Sequence, residues 1–214
     1  MITTLVLDLD GPLLDGRLRH HRCYSDILHQ WGYEPLPLDR YWALKRARTD
    51  RRSLLALSDA VVRYDDFLAE WLHRIETRDY LALDRLQDGV LDILRGWRQR
   101  GLRLLLATLR HDRAALDWQL GSLGLDALLD DVTMIASGGA AEKAAAIRPL
   151  LGDEASQAAW IGDTELDLQA GRDLGLRCCL VTCGLRTEDY LAGLAPDLLA
   201  PDLAAVSRWL ADQT

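Results

Sequence analysis

Positive charge is in short supply in this 214-residue chain: 25 Lys and Arg face 33 Asp and Glu, a formal net charge of -8. A chain so acidic is a poor general binder of nucleic acid or anionic membrane. No stretch approaches the roughly 18 consecutive apolar residues of a membrane span. The opening MITTLVLDLD has no basic start and meets acid at its eighth residue, so no signal peptide is expected there and a cytoplasmic location is. The four cysteines, Cys23, Cys178, Cys179 and Cys183, form no CxxC pair. That excludes a disulfide framework or a zinc site and leaves buried cytosolic thiols. Low-complexity segments and long repeats are missing too. Lysine is the scarcest cation: only Lys45 and Lys143 interrupt a chain that otherwise uses arginine. A lysine here raises the question of what it does.

What is present is ordinary globular composition, 49% hydrophobic and 27% charged, which argues against extended disorder. The length fits one domain carrying a modest insertion. Thr4 to Leu7 is an apolar run on both faces, closed by Asp8-Leu9-Asp10-Gly11-Pro12. It reads as a central parallel strand followed by a turn. Further strands are expected at 102–107, 132–136, 158–161 and 178–182, with a weak sixth near 198–199. Helical spacing separates them at 86–100, 113–123, 142–151, 165–174 and 203–211. Strands alternating with helices give an α/β fold, a Rossmann-like parallel sheet covered on both faces. Residues 16–82 break the alternation. They carry Trp31, Trp42 and Trp71, many arginines and no convincing strand, and read as an all-helical insertion after the first strand. The expected units are therefore an α/β core of 1–15 and 83–214 and a helical segment of 16–82.

Four places in this pattern carry chemistry. Asp8 and Asp10, two apart on extended chain, point the same way at the carboxyl end of a strand, where open α/β sheets bind ligands. Such a pair serves either a polar turn or a hard divalent cation such as Mg²⁺. Asp163, in Gly162-Asp163-Thr164-Glu165-Leu166-Asp167, ends another strand, and if the two strands are neighbours it completes an acidic cluster able to hold that ion. Thr164 and Asp167 have capping-box spacing, so Asp167 serves as a cap or as support for a metal site. Thr108 ends the second strand as an N-cap or, with the fresh backbone N–H groups there, a phosphate contact. Arg110 and His111 follow it closely, and Arg110 is a candidate phosphate or substrate contact. Lys143 stands in the first turn of a helix, against the dipole, which points to a specific anionic partner. Taken together, a DxDG, a Thr, a Lys and a GDxxxD at strand ends and helix starts suit phosphoryl transfer through an aspartyl phosphate.

This constellation resembles the haloacid-dehalogenase (HAD) superfamily, specifically its phosphoglycolate-phosphatase-like branch. The resemblance spans the whole chain and rests on Leu7-Asp8-Leu9-Asp10-Gly11, Ala107-Thr108, Lys143 and Ile161-Gly162-Asp163-Thr164-Glu165-Leu166-Asp167, supported by Ala170 to Leu176 and by Val181-Thr182-Cys183-Gly184. It implies a nucleophile at Asp8 and a general acid/base at Asp10. It implies Mg²⁺ held by Asp8, the Asp10 carbonyl and Asp163, and phosphate held by Thr108, Leu109 and Lys143. Asp167 would support the metal shell or Lys143. Residues 16–82 would be the cap of such enzymes, inserted just after the first motif. The implied activity is a Mg-dependent phosphatase acting on a small phosphorylated metabolite, with no nucleic acid or membrane partner, as a monomer or homodimer.

Two positions depart from the family pattern. Pro12 stands where a threonine is usual, removing a hydroxyl and a backbone N–H, and Leu109 stands where an asparagine is common. These keep open two alternatives to the phosphatase: a sugar-phosphate mutase, and a binding or regulatory protein on a weakened scaffold. In the insertion, Arg17, Arg19, His20, His21, Tyr24, Trp42, Lys45, Arg46 and Arg48 are the candidates for reading a substrate.

Overall fold

The computed structural model describes residues 1–212. Its strands are β1 (Thr4–Leu7), β2 (Leu14–Asp15), β3 (Arg85–Leu86), β4 (Arg103–Thr108), β5 (Asp131–Met134), β6 (Ala158–Gly162), β7 (Arg177–Val181) and β8 (Leu198–Ala200). Six of them form one sheet in the order β5-β4-β1-β6-β7-β8. Every neighbouring pair in it is parallel. The chain divides into two compact units. One is residues 1–15 together with Leu86 onward, and the other is Gly16–Arg85.

In the first unit, the sheet is covered on both faces, which is why its strands read as unbroken apolar runs. Leu5 and Leu7 point to one face and share a core with Val90, Leu94 and Trp97 of α6 (Val90–Gln99), Leu116 and Leu120 of α7 (Arg113–Leu123), and Leu203, Val206 and Leu210 of α11 (Leu203–Ala211). Val6, Leu105 and Trp160 point to the other. There they meet Ala144, Ile147 and Leu151 of α8 (Ala140–Leu151), Leu168 and Ala170 of α9 (Glu165–Asp173), and Leu191 of α10 (Glu188–Gly193). The expected helix at 86–100 starts later, at Val90. Leu86 belongs to β3, and Gly89 takes φ +71° just before the first turn.

The second unit is helical: α1 (Arg17–Gln30), α2 (Leu38–Arg46), α3 (Arg51–Ala56), α4 (Tyr64–Arg74) and α5 (Arg78–Leu81). Phe67, Trp71 and Ile75 recur every four residues and bury their stripe against Cys23, Tyr24, Ile27, Leu28 and Tyr41. Tyr24 and Tyr41 stack with ring centroids 4.6 Å apart. Two of the residues expected to read a substrate are instead structural. Arg19 is buried in an ion pair with Asp84 at 2.9 Å, and the Tyr24 hydroxyl lies 2.6 Å from Ser58 Oγ. No described helix is long and apolar enough to cross a membrane. All four cysteines are free; three are buried as expected, and Cys183 is partly exposed.

Candidate active site

β1 lies between β4 and β6, with Leu7 in register with Leu106 on one side and Ile161 on the other. The three carboxyl ends therefore stand side by side. Asp8 follows β1 and donates its N–H to the Ile161 carbonyl at 2.9 Å, Thr108 closes β4, and Asp163 follows β6. Asp8, Asp163 and Asp167 each offer a carboxylate oxygen, and these three oxygens all lie within 4.8 Å of one another.

Lys143, in the first turn of α8, has the anionic partners that its sequence position calls for. Its ammonium donates to Asp8 Oδ1 at 2.8 Å and to Asp167 Oδ1 at 2.7 Å, and it stands 5.8 Å from the centre of the Trp160 ring. Burial disfavours the charge on Lys143, but the two carboxylates outweigh it and hold the ammonium above its usual range.

Asp167 is saturated by the protein. Its Oδ1 takes Lys143, with the Trp160 indole N–H at 3.4 Å, and its Oδ2 takes the Thr164 hydroxyl at 2.6 Å and the Thr164 N–H at 3.2 Å. Burial pushes its carboxyl up, yet Lys143 and these donors leave it below the ordinary value. The capping reading of the Thr164-to-Asp167 spacing holds: this side chain turns the loop into α9, and it also takes Lys143.

Asp163 is the opposite case. It is fully buried; Oδ2 accepts the Leu185 N–H, while no hydrogen bond reaches Oδ1 among the described residues. Burial first, then the charges of Asp8 and Asp167, drive its carboxyl well above the usual range. Burial likewise raises Asp8 to about 7 against the pull of Lys143. Three carboxylates against one ammonium leave this pocket two negative charges in excess when all are ionised. An unbonded buried oxygen in that surplus is what a hard, oxygen-seeking cation requires. The backbone is shaped to this carboxylate as well. A Cβ on Gly184 would fall 2.0 Å from Asp163 Oδ2, and one on Gly11 would fall 2.2 Å from its Cγ, with Gly11 at φ +107°. The residues present fit a metal.

Asp10 stands apart from this cluster and pairs with Arg110. Nε of the guanidinium meets Oδ2 at 3.0 Å, and Nη2 meets Oδ1 at 2.9 Å. Arg110, a candidate phosphate or substrate contact from the sequence, is here placed on a carboxylate of the first motif. Pro12 is buried in the turn after Asp10, where the next two N–H groups, of Leu13 and Leu14, both reach the Leu9 carbonyl. Leu109 follows Thr108 outside the strand and is half-buried.

Sequence reasoning passed over Trp160, the Leu185 N–H and the ion pair of Arg186 with Glu165, whose two contacts measure 2.7 and 2.9 Å. The Trp160 ring was legible only as core. A backbone donor such as Leu185 has no residue signature at all. Gly184 belongs to the Val181-Thr182-Cys183-Gly184 segment, while the reason for a glycine there, the approach of Asp163, is visible only in space.

Residues 2–175 match the model of the haloacid dehalogenase-like hydrolases. Among curated relatives, the phosphoglycolate phosphatase of Rhodobacter capsulatus is 28% identical over 197 residues, covering 87% of each chain. The pyrophosphatase PpaX of Halalkalibacterium halodurans is 24% identical over 217 residues, 94% of this chain and 95% of that one. Among solved structures, a haloacid dehalogenase-like family hydrolase from Streptococcus pneumoniae superposes with a TM-score of 0.77 at 22% identity, covering 98% of both chains. That likeness, in the parallel sheet and its flanking helices, is one of fold. The chain belongs to the haloacid dehalogenase-like hydrolases and is an enzyme of their phosphatase type.

Proposed function

We propose that this chain is a Mg²⁺-dependent phosphatase that hydrolyses a small phosphomonoester through a phosphorylated Asp8. The observation that carries the reading is the buried, unbonded Oδ1 of Asp163 within a cluster that includes Asp8 and is doubly negative when ionised. Asp8 and Asp163, with the carbonyl of Asp10, would hold the metal, and a bound Mg²⁺ supplies positive charge against the phosphoryl oxygens. Asp167 is fully used by Lys143, Thr164 and Trp160, so its part is to hold Lys143 in place.

The chemistry divides among this chain's own residues. Thr108, the N–H of Leu109 and Lys143 receive the phosphate and offset its charge. An oxygen of Asp8 attacks phosphorus and forms an acyl phosphate, while the bond to the leaving oxygen breaks. Asp10 gives that oxygen its proton, so the alcohol departs neutral. Asp10, now a carboxylate, takes a proton from a water. That water's oxygen attacks phosphorus, the bond to Asp8 breaks, and inorganic phosphate leaves with both aspartates restored. Residues 16–82 are proposed as a cap that excludes water and limits substrate size, consistent with a small phosphorylated metabolite.

Phosphate release from an aryl phosphate, with Mg²⁺ or EDTA, for the wild type and Asp8→Asn, tests this. Turnover that needs both Mg²⁺ and Asp8 is expected. Turnover that survives Asp8→Asn would overturn the covalent route. A folded wild type inert towards aryl phosphates, phosphoglycolate and pyrophosphate would overturn the phosphatase reading of this site.

A further inference from the structure

Two buried cations divide the aspartates of the first motif between them. Lys143 takes Asp8, and Arg110 takes Asp10. The two contacts differ in kind. An ammonium is a point charge with rotatable donors, whereas a guanidinium offers a rigid planar fork. Arg110 uses that fork on both oxygens of Asp10, at 2.9 and 3.0 Å, which fixes the plane of the carboxylate as well as its position.

Burial shows which partner meets the solvent. The Arg110 side chain is 3% exposed and that of Asp10 is 35% exposed. The guanidinium is thus the buried member of the pair and Asp10 the member that meets solvent. We propose that Arg110 is a positioning residue for Asp10: it holds the carboxylate in the one orientation from which both proton transfers can occur, and it does not itself grip the phosphate. The inference rests on the phosphatase reading above. An acid/base group is effective only within hydrogen-bond reach of its proton, and a carboxylate free to rotate on a short side chain spends part of its time outside that reach.

The test compares wild type, Arg110→Ala, Arg110→Lys, Asp10→Asn and the Arg110→Ala/Asp10→Asn double variant. Substrates are an alkyl phosphate and 2,4-dinitrophenyl phosphate, and inorganic phosphate binding in Mg²⁺ is measured by calorimetry. In Arg110→Ala, kcat on the alkyl phosphate is expected to fall about 10- to 100-fold, a fraction of a full acid/base contribution. Inorganic phosphate affinity should stay within about twofold. The dinitrophenolate needs no proton to leave, so with that substrate the variant should show a burst of product followed by slow turnover. Added to Asp10→Asn, Arg110→Ala should cost little more, because both act through one carboxylate.

Arg110→Lys keeps the charge but loses the fork. It should show the same leaving-group dependence, which covers the case in which the alanine variant does not fold. Phosphate affinity weakened tenfold or more, with losses that add to those of Asp10→Asn, would overturn the proposal and put Arg110 on the phosphate. An active wild type matched by both Arg110 variants would overturn it alone, whereas a wild type without turnover on any substrate would remove the phosphatase reading beneath it.

Discussion

Asp163 spends one carboxylate oxygen on the backbone N–H of Leu185 and keeps the other buried and unbonded. The loop after β7 thus fixes the orientation of a carboxylate that stands in one cluster with Asp8 and Asp167. Asp163→Asn preserves an oxygen for Leu185 but removes the charge. Mg²⁺ should raise the melting temperature of the wild type, since a ligand that binds only the folded state stabilises it, and should leave that of the variant unmoved. Turnover should drop by about 100-fold or more, the scale of a lost metal contribution of several kcal/mol. An equal Mg²⁺-induced shift in both proteins, measured by scanning fluorimetry, would remove Asp163 from the metal site.

How much of this was legible in the sequence depends on how local each cause is. The ends of α7 and α11 follow from spacing alone, and the structure places them at 113–123 and 203–211. Asp8 and Asp163 were readable as strand-end acids because apolar runs precede them. Lys143 announced a partner by being a lysine in an unfavourable helix position. The short helices α3, α5 and α10, of six, four and six residues, carry too few turns for a period to show. The partners of Arg19, Tyr24 and Arg110 lie 65, 34 and 100 residues away in sequence, so only the fold reveals that they are bound.

Gly184→Ala tests the fit around the acid. The added Cβ would meet Asp163 Oδ2 at 2.0 Å, so either the carboxylate or the loop must move. Overpacking of this kind costs about 1–3 kcal/mol. The metal-dependent rise in melting temperature should shrink along with turnover, because the displaced group is the proposed ligand. A variant that loses stability in urea but retains a wild-type response to Mg²⁺ would show that the loop yields and the carboxylate does not.

Removing metal should make the protein sensitive to pH in a predictable sense. Burial raises Asp8 in the folded chain from the ordinary 3.8 to about 7. A carboxyl raised on folding is bound to its proton more tightly in the native state, so its contribution to stability is unfavourable above the folded value. It costs nothing below about pH 4 and its full amount above about pH 7. In EDTA, Asp8→Asn should therefore be more stable than the wild type at pH 7.5, with the gap closing towards pH 5. The same variant should be inactive. Thermal melts of the two proteins across that range, compared as differences, cancel the titration of the rest of the chain. A gap that widened as pH fell would reverse the assigned direction.

The pair of Arg19 with Asp84 makes a separate claim about the helical unit. The two side chains are 2% and 0% exposed, and their contact of 2.9 Å joins residues near the two ends of the segment 16–85. Breaking a buried ion pair by removing one member costs about 3–5 kcal/mol, whereas replacing both members by apolar groups is often close to neutral. Asp84→Ala should accordingly destabilise the protein by that amount in urea titrations followed by circular dichroism, and Arg19→Met with Asp84→Leu should recover most of the loss. Recovery would locate the cost in the broken ion pair. A double variant as unstable as the single one would mean that the pair contributes through its geometry, holding the start of α1 to the residue just before β3.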